Sequence, residues 1–322
     1  MVDGITSATA DILYSPCRLL LASPRLGLVD GDNSGMDSFS VDIVIPVYNE
    51  DPEALALTLR ACEDQTRTLR SILVVDDGSR VPAELPTWAA PRPEFCLITL
   101  PENRGISAAR NAAMRRSSAT YVACVNVEVL PQPDWVAVCA DYLNANPSVG
   151  ACYTQTVPRN PEKLLTRWRV RFQDARYPDR TGPAPFAHGH AVLFRRAAVD
   201  AIGGYDERFR VANEDWDISN RLWKQGWEVH FIGESQCVSI QSDSMETLAT
   251  KQLRDNGWSS AKESSLIALA IRMTKWTIVR AGRNIAKLRW QFLPVDAALW
   301  AYTLWLAAAQ KGKYLFSQRT RS

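Results

Sequence analysis

The run Asn213-Glu214-Asp215-Trp216-Asp217 packs three carboxylates into five residues and admits two readings. Asn213 can cap a helix whose first turn holds Glu214 and Asp215, an arrangement that stabilises a helix without any chemistry. The other reading has the helix N-terminus present Asp215 to a crevice as a general base, kept ionised because the dipole favours the anion. A second polar pair interrupts an apolar run. In YVACVNVEVLP, residues 121–131, Asn126 and Glu128 follow the pattern of a buried strand. On an extended chain residues i and i+2 point the same way, so one site would receive both the amide and the carboxylate. Asp76 and Asp77, in DDGS, fit ordinary turn chemistry or a polar site. The tract GISAARNAAMRR reads either as a plain amphipathic helix with Arg110 on its solvated face or as a helix start and an arginine suited to phosphate.

The elements that position these residues follow from the apolar pattern. Strand-like runs at Val41–Val47, Ile72–Val75, Phe95–Leu100 and Tyr121–Val125 alternate with helical segments at 52–65, 106–117 and 133–145. That alternation predicts a βαβ-type sheet with helices on its faces. Pro52 and Pro133 each suit a first helical position. From about residue 149, VGACYTQTV and AVLFRR read as strands, RRAAVDAIGG as a short helix ended by glycines, NEDWDISNRLWKQGW as a helix and EVHFI as a strand. The first four strands stop at PVYNED, DDGS, PENRG and NVEVLP. Ligands of such sheets bind beyond the carboxyl ends of the strands, so these four ends are expected to converge on one crevice. Neither GxGxxG nor GxxxxGK[ST] occurs, which removes support for dinucleotide oxidoreductases and P-loop enzymes.

Composition sets the frame. The 322 residues are 46% hydrophobic and 22% charged, as in a globular protein with ample length for a core. The seven cysteines (17, 62, 96, 124, 139, 152 and 237) show no CxxC spacing and read as reduced core thiols of a cytoplasmic protein. The net charge of +2 divides unevenly, into +9 from residue 245 onward and −7 before it. No export signal is expected at the N-terminus, and the polar stretch 30–40 reads as a linker behind a possible docking helix.

Six motifs taken together, PVYNE (46–50), VVDDGS (74–79), ENRGISAARNAA (102–113), VNVE (125–128), FRRAAVDAIGGYDERF (194–209) and EDWD (214–217), resemble the family 2 glycosyltransferases in order and spacing. The resemblance covers residues 40–245. It implies a GT-A fold: a Rossmann-like nucleotide-sugar-binding sheet with helices on both faces, here followed by a C-terminal helical region. The expected boundaries are an extension at 1–40, a nucleotide-binding half at 41–131, an acceptor half at 132–244 and a basic helical region at 245–322. It also implies inverting transfer of a sugar from a nucleotide diphosphate, UDP being the first candidate, to an unknown hydroxyl acceptor.

By the same resemblance, Pro46, Tyr48 and Glu50 line the nucleobase and ribose pocket, and Asp76 or Asp77 hydrogen-bonds the base. Arg110, after Asn103 and Gly105, sits near the base or the diphosphate. Asp215 takes the acceptor proton with Glu214 beside it. The family's DxD reads Asn126-Val127-Glu128 here, so a magnesium or manganese ion is expected on Glu128, with Asn126 toward the nucleotide sugar. Where many members place a histidine, CVSIQSDS offers Gln241 and Asp243. His188 and His190, in a loop that lines the acceptor pocket in the family, are expected to touch the acceptor, while His230 reads as a satisfied core histidine. A catalytically impaired binding module of the same fold is the alternative.

KQLRDNGWSSAK (251–262) resembles the QxxRW segment of processive members and reads as a lid through Arg254 and Trp258, or as a surface helix turn. Basic residues recurring from Arg272 to Arg289 among Trp276, Ile278, Ile285 and Trp290 suit a helix on the inner membrane face, or helices packed on the domain or on a homodimer partner. The uncharged run Ala297–Ala309 falls short of the ~20 residues of a spanning helix, so non-processive transfer is expected, with no nucleic-acid partner.

Overall fold

The computed structural model describes residues 39–173, 177–256, 258 and 265–319; the expected docking helix and Cys17 lie outside them. Strand β1 (Val41–Val47) leads to α1 (Pro52–Glu63), then β2 (Ser71–Asp76), β3 (Phe95–Thr99), α2 (Ile106–Arg116) and β4 (Tyr121–Val125). β1 pairs in parallel with β2 and β4, and β2 with β3. Along β1, Val41, Ile43, Ile45 and Val47 enter one buried cluster while Val44 enters the cluster on the opposite face. A strand buried on both faces reads as a continuous apolar run, which is why β1 and β4 match the expected spans to the residue. Pro46 lies past Val44, the last β1 residue paired to β4, so its missing N–H takes no bond from that ladder.

β5 (Val129–Pro131), α3 (Trp135–Ala145), β6 (Val149–Pro158), α4 (Leu164–Phe172), β7 (Gly182–Pro183), β8 (Ala191–Arg195), α5 (Arg196–Ala201), α6 (Glu214–Lys224) and β9 (Glu228–Ser239) complete the domain. The sheet order is β3-β2-β1-β4-β8-β6-β9-β5, with β7 beside β9. β5 crosses to the far edge and pairs with β9, so the two expected halves share one sheet.

Two helix starts differ from expectation. Pro52 opens α1, where Asp51 caps the helix by accepting from the Glu53 N–H at 3.2 Å. Pro133 does not open α3. A turn closed by the Trp135 N–H on the Gln132 carbonyl holds it outside the helix, and the flanking Asp134 spends its carboxylate on Ser235.

The C-terminal helices α7 (Met245–Asp255), α8 (Leu266–Ala286) and α9 (Leu293–Arg319) bury their own clusters, one around Trp168, Leu248 and Phe292, another around Leu253, Leu269 and Met273. Buried Asp296 accepts from Trp168 Nε1 at 2.9 Å, Asn284 Nδ2 at 2.9 Å and Arg280 Nε at 3.1 Å, tying α4, α8 and α9 together. The uncharged run understated this region. The helical stretch Trp290–Tyr314 has 25 residues and a mean hydropathy of 1.3 in its most apolar window, long and apolar enough to cross a membrane. One such helix, partly buried, is weak support for a span.

His230 is satisfied in the core, between the Tyr142 hydroxyl at 2.8 Å and Glu228 at 2.7 Å. Among the described residues six cysteines are free. Burial pushes the Cys124 thiol up to about 11 and the Cys237 thiol up to about 12, so neither supplies a thiolate nucleophile near neutrality.

Candidate active site

At the end of β2 both acids are committed to backbone. Asp76 accepts from the N–H groups of Ser79 and Ala83, each at 3.0 Å. Asp77 accepts from Arg104 N at 2.8 Å, Gly105 N at 2.7 Å and Asn103 Nδ2 at 3.0 Å. They fix two loops, one at the end of β2 and one at the start of α2. Gly105 takes a φ of +98° and lies against Arg210, where a Cβ would come within 2.6 Å of backbone, so the close approach needs glycine. Tyr48 is exposed, and the adjacent Asn49 donates its N–H to Ser79 Oγ at 2.8 Å, joining the first two strand ends.

The loop before α6 docks on the same region. Arg210 donates to the Asn103 carbonyl at 2.6 Å and its own carbonyl accepts from Ile106 N at 3.0 Å. Asn213 occupies the N-cap position of α6 with a left-handed φ of 70° and makes no side-chain cap bond, which corrects the expected capping role. The position is set by the loop's docking and not by the amide. Asp215 caps locally instead, through Oδ1 to the Trp216 N–H at 2.8 Å, while Oδ2 faces the Gly189 N–H at 3.4 Å.

Arg110 joins these parts. It is fully buried, which rules out the solvated-face reading of α2. Its NH1 donates to Glu214 Oε1 at 3.1 Å; its NH2 donates to Asn126 Oδ1 and to the Gly189 carbonyl, both at 3.0 Å. Burial alone would lower its pKa, but Tyr205, Glu214 and Cys124 more than offset that and raise it. Its residues come from α2, the end of β4, the 189 loop and α6, and α2 is 104 positions from its ionic partner. No sequence spacing encodes such a pairing.

Asn126 and Glu128 reach the cleft by a route other than the strand pleat. β4 ends at Val125, and Glu128 adopts a left-handed φ of 67°, so a turn delivers both side chains. The turn is held by Asn126 N on the His190 carbonyl at 3.0 Å and by Ile240 N on the Glu128 carbonyl at 2.9 Å. A cleft of about 1130 Å³ opens here, lined by Asn126, Glu128 and His190 on the sheet side and by α7 residues including Lys251 and Arg254 on the other. Gln241 lines it, whereas Asp243 is spent on Arg169 at 2.7 Å. Arg169 and Tyr177 also line it, and neither carries a spacing or motif that marks it beforehand.

His188 does not line this cleft and packs in an aromatic cluster with Phe186, Tyr153 and Tyr177. Trp258 lines the cleft but is buried, with Nε1 on Gln310 Oε1 at 2.7 Å, so it is wall and not a free lid. Pro46, Tyr48, Glu50, Asp76, Asp77, Asn103 and Gly105 are grouped at the neighbouring strand ends and do not line this cleft. Asp215 stands beside it, since His190, Val211 and Ala212 of its wall flank Gly189 and the start of α6.

Gly189 controls the fit between the loop and the carboxylates. A Cβ there would meet Asp215 Cβ at 3.3 Å and both Arg110 NH2 and Glu214 Oε1 at 3.5 Å. Gly189→Ala is therefore expected to displace Asp215 by a few tenths of an ångström and lower turnover roughly tenfold, with little change in the unfolding midpoint. Steady-state rates beside a urea melt check this, and an unchanged turnover number refutes the contact.

The oxygen donors bear on metal binding. Arg110 donates to the Asn126 side-chain amide oxygen, and Glu128 supplies the pair's one carboxylate to the cleft. Burial first, then Asp51 and Asp243, push the Glu128 carboxyl up, with Arg169 opposing. Glu50 is raised as well, by desolvation and then by Glu128. A cation would relieve that repulsion. Magnesium is commonly held by one or two carboxylates together with substrate phosphates, so the residues fit an ion shared with a diphosphate. Among the described residues no group of three His, Cys, Asp or Glu is arranged to hold one unaided.

The family model Glycosyl transferase family 2 matches residues 42–203, and Glycosyl transferase family 21 matches residues 179–315. An N-acetylglucosaminyltransferase of Mesorhizobium japonicum is 30% identical over 233 residues, covering 67% of this chain and 54% of that protein. A pre-mycofactocin glycosyltransferase of Mycobacterium tuberculosis is 24% identical over 313 residues, covering 93% of this chain and 62% of the relative. The chain thus spans little more than half the length of such relatives. The mannosyltransferase PcManGT from Pyrobaculum calidifontis, solved with GDP-Man and Mn2+, has a TM-score of 0.53 at 20% identity, over 85% of this chain and 87% of that one. GalNAc-T7 with UDP, GalNAc and Mn2+ has a TM-score of 0.52 at 14% identity, over 63% and 43%. At these identities the likeness shows the fold.

Proposed function

Because this chain belongs to the family 2 glycosyltransferases and has their GT-A fold, we propose that it transfers a sugar from a nucleotide-diphosphate sugar to an acceptor hydroxyl with inversion, using Asp215 as the base. The observation that carries this reading is the Arg110 bridge, which locks Glu214 at the start of α6 to Asn126 at the end of β4 and so holds Asp215 beside the strand-end cleft. Inversion requires a base on the side of the anomeric carbon opposite the leaving group. A carboxylate on a helix start, approached from the sheet across a cleft of this size, suits that demand.

The donor's nucleotide is assigned to the loops that Asp76 and Asp77 hold, where Pro46, Tyr48 and Glu50 come together. The hydroxyl acceptor is assigned to the side of His190. When bound, a magnesium or manganese ion on Glu128 supplies positive charge to the departing diphosphate. Asp215 accepts the acceptor proton, and Arg110 keeps Glu214 from moving toward it.

Sugar release and thermal shift with UDP-, GDP- and dTDP-sugars test this reading, because a ligand bound only by the native state raises stability. One donor class is expected to stabilise the protein and be turned over. Exhaustive EDTA treatment is expected to lower turnover at least tenfold, restored by manganese, and Glu128→Gln to weaken metal-dependent donor binding in the same assay. No stabilisation and no release with any donor sinks the assignment, while activity indifferent to EDTA removes the metal from it.

A further inference from the structure

The chain itself covers the start of α2. Ile106 donates its N–H to the Arg210 carbonyl at 3.0 Å, Ser107 Oγ donates to the Phe209 carbonyl at 2.5 Å, and Gly105 lies against the Arg210 backbone. The cation over this helix start is Arg210, which is exposed. Its NH2 donates to the Asn103 carbonyl at 2.6 Å and reaches Asn103 Oδ1 at 3.3 Å, and both acceptors are neutral. Among the described residues Arg210 makes no ion pair, and its NH1 and Nε have no acceptor. The neighbouring arginines are committed. Arg104 pairs with Glu207 at 2.7 Å, Arg208 with Asp206 at 2.6 Å, and Arg110 is buried on Glu214.

Arg210 also stands at a junction. Asn103, its partner, belongs to the loop that Asp77 fixes through Asn103 Nδ2 at 3.0 Å. Val211 and Ala212, the two residues after Arg210, line the cleft that Glu128 lines from the sheet side. The guanidinium is thus held at the loops assigned to the nucleotide by a chain that enters the cleft wall one residue later. In a nucleotide-diphosphate sugar the group that joins nucleoside to sugar is the diphosphate. We propose that the Arg210 guanidinium binds the donor's diphosphate, a role that rests on the nucleotide-sugar reading above. A guanidinium presents paired donors that match phosphate oxygens, and its hydrogen bonds to an anion are roughly twice as strong as those to neutral acceptors such as Asn103. Arg80 is exposed too, but it sits at the ends of β1 and β2, its N–H on Asn49 Oδ1 at 2.9 Å, and does not line the cleft. The loop does not need the Arg210 side chain for its place. The Ile106 and Ser107 contacts and Arg104 on Glu207 hold it, so the side chain can leave Asn103 for a phosphate while α6 stays fixed.

The full chain is to be titrated with UDP, GDP and dTDP in the presence of manganese, and with uridine, guanosine and thymidine as competitors. For the diphosphate that binds the wild type, Arg210→Gln is expected to weaken affinity about tenfold or more, while the matching nucleoside binds both proteins within about twofold. Arg210→Lys keeps the charge without the paired donors and is expected to recover part of the loss. Arg208→Gln removes the same charge two residues away and is expected to bind the diphosphate within about twofold of the wild type. Glutamine keeps a donor for the Asn103 carbonyl, so the urea midpoint of Arg210→Gln is expected to match the wild type. Equal diphosphate affinity in Arg210→Gln and wild type overturns the role of Arg210 and leaves the donor reading standing. A matching loss of nucleoside affinity overturns it as well, because the arginine then only shapes the nucleotide loop. So does an equal loss in Arg208→Gln, the mark of a diffuse field. Binding of none of the three diphosphates to the wild type removes the donor reading and the proposal with it.

Discussion

Asp215→Asn is expected to slow sugar transfer by about 10²–10⁴-fold while leaving donor binding and the unfolding midpoint close to wild type. The replacement keeps size and shape. The oxygen that accepts the Trp216 N–H at 2.8 Å survives in the amide, so the first turn of α6 keeps its local cap. What disappears is the ability to take a proton. The long Gly189 N–H contact to Oδ2, at 3.4 Å, is lost to the amide NH2, while the Arg110-held Glu214 beside it is unchanged. Single-turnover rates beside donor titrations separate the two effects. A loss confined to donor affinity, or a rate equal to wild type, refutes the base assignment. Asp217 then becomes the alternative to test, although it is held by Arg221 at 2.7 Å on the next turn.

What was legible in the sequence was local. β1 and β4 announced themselves because strands covered on both faces must be apolar at every position, and the acidic opening of α6 because carboxylates favour a helix start. The meeting of the first three polar strand ends followed from the rule that parallel sheets bind ligands at their carboxyl edge, whereas the fourth opens on the neighbouring cleft. The errors arose where a long-range partner overrode the local pattern. The tract around Arg110 reads either as a helix with a solvated arginine or as a phosphate-suited helix start, and neither shows that Glu214, Asn126 and the Gly189 carbonyl supply enough acceptors to bury it. Asn126 and Glu128 were read as extended neighbours, yet the left-handed Glu128 turns the chain toward the sheet's far edge. Trp258 reads as part of a lid through the likeness of KQLRDNGWSSAK to QxxRW, or as part of a surface helix turn. Gln310, 52 positions on, shows it to be anchored.

Arg110→Met is expected to cost about 3–5 kcal/mol of stability, the range for removing one partner of a buried ion pair. Methionine fills much of the volume but leaves Glu214 buried beside the Asn126 and Gly189 carbonyls with no cation. Pairing Arg110→Met with Glu214→Gln removes the stranded charge and is expected to recover a large part of the loss, while turnover stays low because α6 is no longer tied to β4. Asn126→Asp probes the same balance from the other side. Arg110 now answers one carboxylate and two neutral carbonyls, and a second carboxylate on its NH2 would compete with Glu214 for it. That variant is expected to stay folded, to gain metal affinity through the added charge and to lose rate through the loosened base helix. Urea midpoints for the three variants, read beside turnover and manganese titration, decide the matter. If Arg110→Met costs less than about 1 kcal/mol, the bridge is not what holds the base in place. If Asn126→Asp raises both metal affinity and rate, the asparagine is a worn metal ligand and not a partner matched to Arg110.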